Sequence, residues 1–444
     1  MKYGVLLTLI LSVSLNAAEI SLTQAVQKAA DRSENVKAAL YGKEAAESQL
    51  KEVKNSALGK ISLKTTYTQG DEPVYAFAQT LRQGKFSMAS MASVNNPDSV
   101  KNTEFALEGG VPLFTGFKIS NYKEMSALGV KAADDYAQRV LSGTKFYSSY
   151  LYLTALLRKS LNEELEKILT SSKEELDLAE KLNENGMIPG SDYYAALAIY
   201  SGLKNYKDSL DYELKNDIIK LASEIGEEPQ NLILSANLTK PLYRDLNCRE
   251  VSEKALSSRK DLKVYENMFK ISEISSKIEK NSILPQAEAF GAFYGNSGAI
   301  DSLRTSGVYG LRLTVPFGDP SYFARYEKAQ AQSKAAKENF LSEQRKAKTE
   351  VLNSCTDYKS SVNSAALALE TVQKAEKSLE LFRPLYRKGK QSIMEVLRAE
   401  QSLFQAKASY LETIYKTHLF YLKTSFAAET LSGEKIKEIE DNLK

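Results

Sequence analysis

The stretch LYRKGKQSIMEVLRAEQSLFQA, Leu385–Ala406, decides how the chain is read. A long helical pattern stops at Lys388–Gly389, a turn of three or four residues follows, and a second helix opens at Ser392. Ser392 with Glu395 three residues on is a capping-box pattern, in which each side chain satisfies a backbone donor at the helix start. LNENGMIPGSDYYAALA, Leu182–Ala198, has the same layout 203 residues earlier, with Gly186 in the place of Gly389 and Asp192 in the place of Glu395. A hairpin that occurs twice predicts a chain made of one motif used twice.

Working outward, the duplication reaches four segments that alternate in the period-two manner of strands. In ISLKTTYT, Ile61, Leu63, Thr65 and Tyr67 share one face and Ser62, Lys64, Thr66 and Thr68 the other. TEFALEGGVPLF sets Phe105, Leu107, Val111 and Leu113 against Glu104 and Glu108, and VYGLRLTVPF sets Tyr309, Leu311, Leu313, Val315 and Phe317 against Arg312 and Thr314. AEAFGAFY, from Ala287, alternates less sharply. The segment from Asn55 matches that from Asn281 at an offset of 226, and Phe105 matches Tyr309 at an offset of 204. The offsets differ by 22, so the first strand pair has the longer loop, within Gln69–Asn102.

The rest reads as helix. Lys118 to about Glu184 and Tyr322 to about Lys388 are nearly free of proline and glycine, and at 1.5 Å per residue each spans about 100 Å. Shorter helices are expected at Ser21–Ser56, 192–225, Arg249–Ser282 and 392–431. Val396, Leu403 and Tyr410 recur every seven residues beside Leu397, Phe404 and Leu411, which is a coiled-coil seam. The expected organisation is a first repeat over 19–225 with a strand pair at about 61–113, and a non-helical connector over 226–248. A second repeat follows over 249–431 with a strand pair at about 286–317, then a charged, frayed tail over 432–444.

The N-terminus, MKYGVLLTLILSVSLNAAE, has one lysine, an apolar run and small residues at Ala17 and Ala18, the build of a secretory signal peptide over 1–18. No cysteine stands at the cleavage site, so no N-terminal lipid anchor is expected. No later run approaches the length of a transmembrane helix. The mature protein is therefore expected in the periplasm, outside the cell, or in a membrane as a β-barrel. A net charge of +3 with interspersed lysines and acids gives no nucleic-acid-binding face. No metal-protease, P-loop, nucleophile-elbow or dinucleotide-binding motif occurs, so neither an enzyme nor a cofactor site is expected. The single histidine, His418, is read as structural, and pairs such as Glu163–Glu164 and Glu174–Glu175 as solvated helix faces.

Four strands cannot close a barrel, and an open sheet in lipid would leave backbone groups unpaired at both edges. Closure then needs other copies: two give eight strands and three give twelve, and only the wider ring leaves a water-filled bore. In order, the chain runs signal peptide, helix, strand pair ending in VPLFTGF (Val111–Phe117), long helix, tip hairpin and return helix. It then repeats, with VPFGDP (Val315–Pro320) closing the second strand pair. This order resembles the outer membrane efflux protein (TolC-like) family over essentially the whole mature chain. PVYAFAQTLRQGKF (Pro73–Phe86) is similar to a stretch common in many members.

The resemblance implies a mainly α fold with membrane β: internally duplicated coiled-coil hairpins plus four strands per chain. In a homotrimer these form a 12-stranded β-barrel in the outer membrane of a Gram-negative bacterium and a periplasmic α-barrel, with a belt at the connector. It implies a passive, porin-like exit duct of a tripartite efflux pump or type I secretion system, partnered by a periplasmic adaptor and an inner-membrane transporter. The rival reading is a periplasmic or surface coiled-coil structural protein such as an adhesin stalk.

For the entrance, the resemblance points to Tyr386 and Asp192 as closing residues. It places Gln391 where the family type has an arginine, and Glu395 and Arg398 at two positions of a selectivity ring. Capping in first helical turns would equally explain Asp192 and Glu395. Gly186, Met187, Ile188, Gly389, Lys390 and Ser392 are turn residues and candidates for adaptor docking, or ordinary turn chemistry. Cys248 lies about as far before the third strand as Cys355 lies after the fourth, so on antiparallel helices they reach the same height. A disulfide between them is expected in an oxidising compartment.

Overall fold

The structure, a computed structural model, describes residues 18–299 and 302–443; the signal-peptide reading of the first residues lies almost wholly outside them. A short strand β1 (Ala18–Ile20) leads into α1 (Leu22–Arg32) and α2 (Glu34–Ser56). Strand β2 (Lys60–Gly70), helix α3 (Pro73–Arg82) and strand β3 (Val100–Phe114) follow. Next come α4 (Lys118–Glu184), α5 (Gly190–Ile225), strand β4 (Leu232–Leu234), α6 (Cys248–Ser258) and α7 (Lys260–Lys280). Strands β5 (Gln286–Ser297) and β6 (Arg304–Thr314) precede α8 (Tyr322–Arg387), α9 (Ile393–Ala427) and α10 (Gly433–Asn442). Among the described residues no helix is long and apolar enough to cross a membrane.

Two helices expected to be continuous are broken, and the breaks repeat. Ser33 and Arg259, 226 positions apart, both leave helical ψ and end α1 and α6. The Ser33 hydroxyl accepts the Val36 N–H and so starts α2 afresh, the competition with the backbone that makes serine a cap. Arg259 instead turns a nearly buried guanidinium onto Asp261, Glu350 and the Ala427 carbonyl. The duplication therefore preserves the bend while changing the chemistry that holds it.

The described residues form two compact units. One, comprising 41–134 and 263–341, holds the four-stranded antiparallel sheet in the order β2-β3-β5-β6. β2 and β5 start 226 positions apart, and β3 and β6 start 204 apart. A single register shift lies between Pro112 and Phe114. Alternation gives the sheet one apolar face, which carries Ile61, Leu63, Phe105, Leu107, Phe293, Tyr309 and Leu311 in matching register. These side chains stand in the open: Ile61 is 80% exposed and Tyr309 91%. The other face carries Lys60, Lys64, Glu104, Glu108, Glu288 and Arg312. β2 and β6 are sheet edges within one chain.

The other unit, comprising 18–40, 135–262 and 342–443 of the described chain, is helical and contains the core. Leu153, Leu156, Leu165, Leu210 and Leu221 are buried with Val396, Leu397 and Leu403, the seam of the heptad pattern. The connector is not wholly irregular, because β4 pairs in parallel with β1. The tail is not frayed either. Ser432 caps α10, Ile436, Ile439 and Leu443 are buried, and Glu440 accepts the Thr23 N–H at the start of α1. Their three-and-four spacing is an amphipathic signal that the surrounding charge obscured.

Candidate functional site

The two hairpin turns have the same backbone. Gly186 (φ 69°) and Gly389 (φ 68°) take the left-handed conformation that ends a helix. The following N–H of Met187 reaches back to the Leu182 carbonyl at 2.8 Å, and that of Lys390 to the Leu385 carbonyl at 2.9 Å. A Cβ at either glycine would meet nothing within 4 Å, so the backbone angle and not space demands glycine. Met187, Gly389, Lys390 and Gln391 are exposed. Ile188 is not: it packs half-buried against the helical core, so only Met187 offers an open apolar side chain at the first turn.

Ser392 is half-buried and does not close the expected capping box. Its hydroxyl accepts the Met394 N–H and donates to Asp192 Oδ2 at 3.0 Å, so the serine is committed to the other hairpin. Glu395 points along its own helix toward Arg398, 3.5 Å away, and this pairing of neighbours removes it from the capping role.

Further contacts join the hairpins. Tyr386 is 3% exposed and its hydroxyl donates to the Glu175 carbonyl at 3.4 Å. Burial, with the Glu175 carboxylate behind it, pushes that phenol up to about 12, so it remains a neutral donor. Arg387 meets Glu175 Oε1 at 2.6 Å. Arg383 meets Glu400 Oε1 at 2.7 Å, and Ser171 donates to the same oxygen at 2.9 Å. Ser172 donates to the other Glu400 oxygen, and Arg383 also bonds the Ser171 hydroxyl. Glu400 is fully buried and Glu175 2% exposed, so neither carboxylate has bulk water to fall back on.

The sequence reading found Tyr386, Asp192 and Ser392 but missed Ser171, Ser172, Glu175, Arg383, Arg387 and Glu400. Glu175 in particular is no solvated face. Its signal was its place in the stripe Leu161, Leu165, Ile168, Ser172, Glu175, Ala179, whose three-and-four spacing marks the side turned to the partner helices. Glu400 occupies the same kind of place between Val396 and Leu403.

Cys248, at the start of α6, is bonded to Cys355 in the middle of α8, with Cα atoms 5.7 Å apart. His418 is fully buried, its Nδ1 lies 2.9 Å from the Ile414 carbonyl, and burial lowers its pKa to about 4. Among the described residues no group of three or more His, Cys, Asp or Glu could hold a metal ion.

Residues 251–418, which include the second hairpin, match the family model described as outer membrane efflux protein. This segment is similar to an outer membrane efflux protein domain. No curated protein matches the chain. Solved structures do. A membrane protein from Pseudomonas aeruginosa aligns at TM-score 0.81 and 15% identity, over 93% of this chain and 91% of that one. The CmeC outer membrane channel of Campylobacter jejuni aligns at 0.81 and 15%, over 95% and 90%. The MtrE outer membrane channel of Neisseria gonorrhoeae, in its open state, aligns at 0.75 and 14%, over 97% and 93%. At such identity these likenesses establish the fold, and they extend well beyond the matched segment to nearly the whole chain. The matched segment contributes Arg383, Tyr386, Arg387, Ser392 and Glu400 to the contacts between the hairpins.

Proposed function

We propose that three copies of this chain form an outer-membrane exit duct, the passive outer component of a tripartite efflux pump or a type I secretion system. The observation that carries this reading is the sheet. Its apolar residues are solvent-exposed on one face, its charges lie on the other, and its strands of 11–15 residues suit a bilayer crossing. Open edges at β2 and β6 would cost several kcal/mol per unpaired group in lipid, and pairing with neighbouring copies removes that cost. Twelve strands then surround a bore faced by the lysines, glutamates and arginine.

The helical hairpins form the periplasmic part of the wall, and their turns the entrance. Asp192, Tyr386, Gln391, Glu395 and Arg398 line or hold that entrance. Gly186, Met187, Gly389 and Lys390 present the surface that an adaptor meets, and that adaptor links the duct to an inner-membrane transporter. Ser392, turned toward Asp192, and Ile188, packed inward, support the turns from behind.

Reconstitution in planar lipid bilayers tests the reading. The expected result is discrete single-channel conductance from a trimer that survives detergent. A protein that inserts as a trimer and carries no current would overturn it.

A further inference from the structure

Helix α3 lies in the loop of the first strand pair, the longer of the two, and its attachments all go to one face of the sheet. Glu72 caps it, accepting the Val74 and Tyr75 N–H groups. The Tyr75 hydroxyl donates to Thr68 Oγ1 at 2.6 Å. Arg82 pairs with Glu104 at 3.0 Å. Gln83, buried just past the helix end, donates to the Lys101 carbonyl and to Asn102 Oδ1, and Asn102 donates in turn to Asn296 at 2.8 Å. Gly84 (φ 66°) turns the chain back, and Phe86 then closes edge-on against Phe77 at 5.4 Å.

Thr68, Asn102, Glu104 and Asn296 all belong to the polar face, opposite Tyr67, Phe105 and Phe293. Ala106 on that face and Ala76 on the helix are both buried. The helix is therefore fastened to the side of the sheet that faces water in a barrel, and not to the side that faces lipid. Its remaining stripe is apolar. Val74, Phe77 and Leu81, at helical spacing, are exposed, with Val74 73% open. An apolar stripe directed into a water-filled bore is stable only if something covers it. A ring closed by three copies brings two further α3 helices into the same bore.

We propose that α3 is folded into the barrel and that the three copies meet through Val74, Phe77 and Leu81, forming an apolar constriction inside it. The proposal rests on the duct reading. Among the described residues only the loop of the first strand pair contains an α-helix, so each protomer contributes α3. Apolar rings of this kind resist ions by dewetting, without a charged barrier.

The full-length protein and the double variant Val74→Ser, Leu81→Ser are compared as single channels in planar bilayers. Both positions are exposed in the protomer, so the fold is retained. The expected result is a conductance about two-fold or more above the unaltered channel. Leu81→Cys reads the contact independently of current. With Cys248 and Cys355 bonded to each other, the new thiol is the chain's only free one, and oxidation is expected to link protomers on a non-reducing gel. A rise in conductance without cross-linking keeps α3 in the bore and overturns the contact between copies. Cross-linking without a rise overturns the constriction. Neither effect, in a channel that does conduct, overturns the whole proposal. Absence of current from the unaltered trimer is instead a failure of the duct reading.

Discussion

Glu400 shows how single residues hold the hairpins together. Its carboxylate is fully buried and receives Arg383, Ser171 and Ser172, so removing the guanidinium leaves a charge with no water near it. Arg383→Ala is expected to cost about 2–3 kcal/mol, less than breaking a fully buried pair because a third of the arginine side chain remains solvated. Thermal unfolding followed by circular dichroism measures this, and an unchanged midpoint would count against the cluster as a structural clasp. His418 makes the opposite kind of prediction. Burial lowers its folded pKa from 6.5 to about 4, so the unfolded chain takes up the proton first as pH falls. The stability that neutral His418 retains is complete above about pH 6.5 and is lost progressively down to about pH 4, roughly 3 kcal/mol in all. His418→Gln is expected to flatten the unfolding midpoint across that window; a profile identical to the unaltered protein's would assign the acid sensitivity elsewhere.

At the level of elements, the repeat made most of the architecture readable. Matched offsets of 226 and 204 located all four long strands, and the paired glycines located both turns. The bends at Ser33 and Arg259 were not readable, because neither residue is a strong helix breaker and Arg259 acts through Glu350 and Asp261, far apart in sequence or hidden in a new helix start. The Cys248–Cys355 bond closes 107 residues of sequence and restrains the unfolded chain by up to about 4–5 kcal/mol in a loop-closure account. Reduction, or Cys355→Ser, is expected to lower the unfolding midpoint by several degrees without abolishing the trimer, as read by calorimetry with and without reductant. α10 is tied down by buried Ile436 and Ile439. Ile439→Asp places a charge in that contact, and protease resistance of the C-terminus is expected to fall; persistent protection would show that α10 docks by other means.

For the whole molecule, the entrance that the duct reading proposes differs from a plain carboxylate ring. Glu395 is engaged by Arg398 on its own helix, so under that reading each copy would bring a neutralised pair. Glu395→Lys is expected to shift the reversal potential toward anion selectivity and Arg398→Glu toward cations, both read in a salt gradient; potentials that do not move would place these residues off the conduction path. The sequence alone determined the duplicated plan, the strand faces, the long helices and the turn positions, because each is encoded by local periodicity or by glycine's freedom at positive φ. Tertiary structure alone decided which carboxylates are buried, that Ser392 serves Asp192 and not its own helix, that α10 docks, and which face of the sheet carries α3. Most of those outcomes rest on residues about two hundred or more positions apart meeting at a few ångströms. A buried charge or hydroxyl takes whichever partner the fold brings near, and no local pattern specifies that partner in advance.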